Sequence, residues 1–80
     1  MDTKQAVIHR IRQLCAQRGI TPNALSYRAA VPQSTVKSIL NDETQNPGVV
    51  TIKKLCDVLE ISLAEFFDTS IFRHLDQEIK

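Results

Sequence analysis

The stretch from Pro22 to Asn41, PNALSYRAAVPQSTVKSILN, constrains this chain more than any other. The step from Leu25 to Val31 breaks the helical period, and Val36, Ile39 and Leu40 restart it after Pro32. Two short helices with a break at Ala30 to Pro32 are therefore expected. Thr21 can cap the first, with Pro22 at the first helical position, where its missing N–H costs nothing. Pro32 ends that helix by disfavouring helical backbone at Val31, and can itself lead into the next. Small residues at Ser26 and Ala30 let the second helix cross the first closely. The polar residues Gln33, Ser34, Thr35, Lys37 and Ser38 then gather on its outward, N-terminal part. A helix with an exposed polar end is what a helix-turn-helix needs to reach base edges in a major groove.

The rest of the chain limits what this motif can belong to. Eighty residues make one small domain with a modest core, and no second domain fits. Two glycines and three prolines leave long helical segments uninterrupted, and no segment alternates as a strand would. The fold class is all-α. Cys15 and Cys56 sit inside apolar stripes and read as buried, reduced thiols, as in a cytosolic protein. No signal peptide is legible, and no apolar run approaches the ~20 residues that span a bilayer. A soluble, cytoplasmic protein without a membrane partner is expected.

Net charge is only +1, so its distribution says more than its sum. Residues 1 to 30 set Lys4, Arg10, Arg12, Arg18 and Arg28 against Asp2 alone. Residues 61 to 80 set Arg73 and Lys80 against Glu65, Asp68, Asp76 and Glu78. Such polarity suits a basic face on DNA with the tail directed away, and ordinary solvated charge would also produce it.

Taken in order, a first helix is expected from about Lys4 to Arg18, with Val7, Ile8, Ile11, Leu14 and Cys15 as its stripe and Gly19 as its stop. Arg10, Arg12, Gln13, Gln17 and Arg18 lie mostly off the stripe. They read as a solvated face, with one or two arginines left to touch phosphate. The loop 42–50, DETQNPGVV, holds the turn cluster Asn46, Pro47 and Gly48. A fourth helix is expected after a Thr51 cap, with Ile52, Leu55, Cys56 and Leu59 facing the core. A fifth opens on a capping box, Ser62 with Glu65, and brings Leu63, Phe66 and Phe67 to the same core. Beyond Asp68, Ile71, Leu75 and Ile79 recur every four residues beside Phe72, the pattern of a short amphipathic helix. That stripe needs a partner. It either folds back on its own domain or pairs with the tail of a second subunit, the latter favoured because DNA half-sites mirror a two-fold protein.

VPQSTVKSILN, followed by TIKKLCDVLEISLAEFF, resembles the phage repressor and Cro class of helix-turn-helix regulators, the Xre family. The likeness covers residues 5 to 68 and rests most on Ile52, Leu55, Cys56, Leu59, Ile61, Leu63, Phe66 and Phe67. It implies a five-helix, lambda-repressor-like DNA-binding domain over 1–68, with 69–80 as a C-terminal extension. Three departures stand out. Ala30 occupies the turn position usually held by Gly, which is strained if its φ is positive. Asp42 and Glu43 follow the recognition helix where Gly and basic residues are common. Cys15 and Leu40 replace a frequent Arg and Glu pair, which suggests packing in place of an ion pair.

The resemblance implies a regulator of transcription, a repressor, whose third helix reads double-stranded DNA. It places Pro32, Gln33, Ser34, Lys37 and Ser38 on the base-facing side, with Thr35 and Asn41 nearer the backbone. Gln33 is the best base reader, since its amide donates and accepts together and matches adenine. Lys37, the only charge on that helix, reaches guanine or phosphate. Asn23, in the first turn of the preceding helix, meets phosphate through the helix N-terminus. With few cations near the groove, a homodimer is needed, with recognition helices ~34 Å apart on a palindromic site. The competing reading is an antitoxin-like interaction module that uses the same fold to hold a protein partner. An enzyme is not expected. His9 and His74 are isolated, no Cys or His pair has metal-ligand spacing, and Gly19 and Gly48 form no phosphate cradle, so neither cofactor nor metal is called for.

Overall fold

A computed structural model describes residues 1–43 and 46–79. Thr44 and Gln45, in the polar start of the expected loop, and Lys80 at the end of the tail lie outside the described residues. The order is α1 (Thr3–Arg18), α2 (Pro22–Arg28), α3 (Gln33–Leu40), α4 (Val49–Leu59), α5 (Leu63–Phe67) and α6 (Ser70–Arg73), with no strand among the described residues. The protein is all-α, as its periodicity predicts.

Three helices, α1, α2 and α5, begin where the sequence supplies a side-chain cap. Asp2 Oδ1 accepts from the Gln5 N–H at 2.8 Å and Gln5 Oε1 from the Asp2 N–H at 3.1 Å, so a capping box starts α1 one residue before Lys4. Thr21 caps α2 through the Ala24 N–H at 3.1 Å. Ser62 and Glu65 form the expected box on α5. The Thr51 cap is not realised. α4 starts earlier, with extended Gly48 at its N-cap and no side-chain cap bond, because the Gly48 carbonyl already accepts from Ile52 N–H at 3.1 Å. Thr51 thus sits inside the first turn. Val49 and Val50 precede it there and remain 61% and 66% exposed.

The first four helices end alike. After each, one residue turns left-handed and its N–H and the next return to the helix's last carbonyls, the Schellman closure. In α1 that residue is Gly19, φ 61°. In α2, α3 and α4 it is Ala30 (φ 53°), Asp42 (φ 59°) and Glu60 (φ 58°). The conformation that would strain Ala30 is therefore the one adopted.

α1 packs on α2, α3 and α6, α2 on α3 and α4, and α4 on α5. Their inward stripes form one core of Val7, Ile11, Leu14, Leu25, Val36, Ile39, Ile52, Leu55, Leu59 and Phe66 with their neighbours. Cys15 and Leu40 both lie in it, so packing does replace an ion pair at these positions. Burial pushes both thiols, Cys15 and Cys56, above the ordinary cysteine range. Phe66 is fully buried, a gain of about 1.5–3 kcal/mol for a side chain of its size. Phe67 departs from expectation. It stands at the surface, 36% exposed, in edge-on contact with Phe66 and Phe72 at 4.9 Å each.

The tail does not continue as an amphipathic helix. α6 is a single turn that sets Phe72 against the core, and residues 74–79 run non-helically past the start of α1. The Met1 ammonium meets Asp76 at 3.3 Å, the Asp76 N–H donates to the Met1 carbonyl at 3.2 Å, and Thr3 Oγ1 donates to Glu78 at 3.0 Å. In the single described chain, residues 74–79 lie back along the start of α1. Ile79, the stripe's third member, is left 81% exposed and takes no part in a packed face.

Candidate nucleic-acid interface

Burial divides α3 into two sides. Val36, Ile39 and Leu40 are inward. Gln33, Ser34 and Lys37 are exposed, Thr35 and Ser38 half-buried, and Asn41 is exposed at the C-cap. Positions 33, 34, 37, 38 and 41 recur with the helical repeat, so they share one outward face. Pro32 precedes them as an exposed, extended N-cap with no side-chain cap bond. The helix's own ladder starts with the Thr35 and Val36 N–H groups, which donate to the Pro32 carbonyl at 2.9 and 3.3 Å. The N–H groups of Gln33 and Ser34 are thus left open at the tip.

Ala30 gives this tip its direction. With Val31 N–H donating to the Ser26 carbonyl at 3.0 Å and Ala30 N–H to Tyr27 at 3.2 Å, the chain reverses within three residues. α3 can then pack on α2 through Val36 while its first turn projects. Ser26 is buried at the crossing, and its hydroxyl donates to the Asn23 carbonyl at 2.7 Å, so its small polar group carries no unmet donor. At the start of α2, Pro22 has no N–H and those of Ala24 and Leu25 go to Thr21. Only the Asn23 N–H is open there, beside its exposed side chain.

The chain carries the structural marks of a helix-turn-helix, and the match with known proteins covers nearly all of it. A family model for the Cro/C1-type HTH DNA-binding domain matches residues 10–70. The chain belongs to this Cro/C1-type family. It is similar to the crystal structure of the prophage Lp1 protein 11, with a TM-score of 0.82 and 30% identity over 94% of this chain and 100% of that one. It is also similar to a chain of the SinR protein/SinI protein complex, with a TM-score of 0.71 and 28% identity over 90% of this chain and 69% of that one. No curated protein matches it.

Within this Cro/C1-type domain, two of the three α1 arginines among which sequence left one or two for phosphate, Arg10 and Arg12, have other partners. Arg10 donates through Nε to the Phe66 carbonyl at 2.8 Å and through Nη2 to the Glu65 carbonyl at 2.9 Å, closing the C-terminal end of α5. Arg12 donates to the Leu40 carbonyl at 3.2 Å and closes α3 in the same way. No local signal marks this, because the receiving carbonyls lie far along the chain. Asp42 does not aim at a phosphate either. It pairs with Lys4 at 2.9 Å, and that hydrogen bond holds the Lys4 ammonium above the ordinary lysine range. Lys37, Arg28 and Lys54 are exposed and have no ion-pair partner among the described residues. Tyr27, which sequence reasoning passed over, is 87% exposed one helical turn after Asn23 and on the same side of α2. That spacing was the available signal.

Among the described residues no group of three His, Cys, Asp or Glu side chains could hold a metal ion, and no helix is long and apolar enough to cross a membrane.

Proposed function

We propose that this chain is a sequence-specific regulator of transcription, acting as a repressor, that reads double-stranded DNA through α3 and works as a dimer without enzymatic activity. The observation that carries the proposal is the divided face of α3, where apolar residues are all buried and short polar side chains project past an extended proline. In this reading Gln33 pairs with adenine, and Ser34 and Ser38 sample base edges along the same face. Lys37 takes guanine or phosphate, and Pro32 contacts the groove wall. Thr35, Asn41 and Asn23 hold the backbone, Asn23 with its open N–H as well as its amide. Repression needs no more than occupancy of a site that a polymerase must cross.

Selection of bound sequences from a randomised duplex library tests the proposal. Enrichment of a two-fold motif supports it, and a folded protein that enriches nothing overturns it. Gln33→Ala should weaken the preferred site by about 1–3 kcal/mol and relax the preference at one base pair, with helicity unchanged. Undiminished selectivity would remove Gln33 from base reading.

A second reading, an interaction module, draws support from the SinR/SinI neighbour, which is itself a complex, and from the sparse basic charge. Salt separates the two. Binding through phosphates weakens with a log–log slope of about −0.9 per phosphate contacted, whereas an apolar protein contact barely responds.

A further inference from the structure

A groove of about 350 Å³ runs between the end of α2 and one face of α4, where Lys54, Asp57 and Val58 stand at helical spacing across from Arg28 and Ala29. Lys4, Arg10, Arg12 and Lys53 are committed to partners within the fold. Arg28 and Lys54 are not. They flank the groove from different helices, both exposed and without an ion-pair partner among the described residues. Asp57 is the acid of the rim and is engaged by Lys53, one turn before it on α4. Ala29 is buried and Val58 half-buried against the core, so the floor is apolar. Five residues beyond Asn23, Arg28 lies about 140° round α2 from it, so the groove does not share the side of α2 that Asn23 and Tyr27 occupy.

We infer that this groove docks a short acidic segment of another protein, one that sets carboxylates beside an aliphatic side chain, while the outward face of α3 stays free. Charge complementarity and the floor together decide the occupant. Two cations from two helices match two carboxylates, and the guanidinium fork of Arg28 takes one of them in a bidentate pair. The floor of Ala29 and Val58 receives a methyl or methylene group. Asp57 accepts from a donor, which a peptide N–H supplies. A nucleic-acid strand would satisfy the two cations, but its phosphates would meet Asp57 with like charge and leave the apolar floor unfilled. Only the acidic peptide answers every wall of the groove.

Titration of the full chain with a capped synthetic peptide of alternating Glu and Leu, followed through the backbone amide resonances, tests this without DNA. The largest shifts should fall on Arg28, Ala29, Lys54, Asp57 and Val58, and binding should weaken with added salt. Arg28→Gln and Lys54→Gln should each weaken the peptide by about two- to fivefold, the worth of one exposed ion pair, and the double variant by about tenfold. Both positions are exposed, so the variants should keep the wild-type spectrum elsewhere. The counterpart peptide of Gln and Leu should bind about tenfold more weakly or worse. No shift at millimolar peptide, shifts spread evenly over Lys37, Lys53 and the other exposed cations, or a double variant that binds as the wild type does, overturns the inference. Equal shifts of the groove amides with inorganic phosphate or with a duplex of random sequence would also overturn it, by assigning the groove to phosphate. Gln33→Ala should bind the peptide normally, so a failure of DNA reading and a failure of the groove are seen in different variants and different assays.

Discussion

Ala30 is the residue at which local cost and function meet. A left-handed φ costs a residue with a Cβ about 1–2 kcal/mol, and at Ala30 no polar side chain offsets it. The chain accepts this because the Schellman closure at Ala30 sets the angle at which α3 leaves α2. Ala30→Gly should therefore stabilise the fold, by about 0.5–1 kcal/mol after the extra backbone entropy of glycine, with DNA binding unchanged. Chemical denaturation measures it, and a loss of stability would mean that the strain is not there. Glu60→Gly should behave similarly at the end of α4, while Asp42→Gly should gain less. Asp tolerates the left-handed region better, and Asp42 also holds Lys4. The sequence made Ala30 conspicuous as a non-glycine at a turn. It did not reveal the sign of φ, which depends on how tightly α2 and α3 must cross.

At the scale of elements, what was legible followed from local rules and what was not depended on distant ones. The stripes of α1, α3 and α4, and Phe66 of α5, name core residues because one helical face must be buried. The Ser62–Glu65 box and the Thr21–Pro22 start could be read for the same reason, and the Asp2–Gln5 box was equally readable. The Thr51 start failed because a backbone carbonyl, that of Gly48, competes with a side-chain cap and leaves no sequence mark. Arg10 is the clearest illegible case. As a side chain off the apolar stripe it looked solvated, yet it closes α5, a helix of five residues too short to hold its shape alone. Arg10→Ala should leave two C-terminal carbonyls without their charged donor and destabilise the protein by about 1–3 kcal/mol. Arg10→Lys should recover only part of this, since one ammonium cannot span both carbonyls as the guanidinium fork does. Thermal melts of the two variants decide it, and equal loss in both would assign Arg10 a packing role instead.

For the whole molecule, the distribution of charge sets how binding must work. The N-terminal excess of cations that sequence displayed is largely spent inside the fold: Lys4 on Asp42, Arg10 on α5, Arg12 on α3. The polarity of the chain was legible, but its commitment to helix ends was not, because that depends on which carbonyls the packing presents. Near the proposed groove Lys37 is the one exposed cation of α3, and neutral amides and hydroxyls surround it. A monomer should accordingly meet few phosphates and show a shallow salt dependence. A dimer, by doubling the set, should double the slope on a full palindrome relative to a half-site. Measured on both duplexes, the log–log slope should fall in that ratio, at about −0.9 per phosphate. For Lys37→Ala, a decrease of about 0.9 per protomer would place its ammonium on phosphate, whereas a change confined to one base pair would place it on guanine. Equal slopes on the two duplexes would mean that one copy suffices, and would separate the reading of DNA from any pairing of chains.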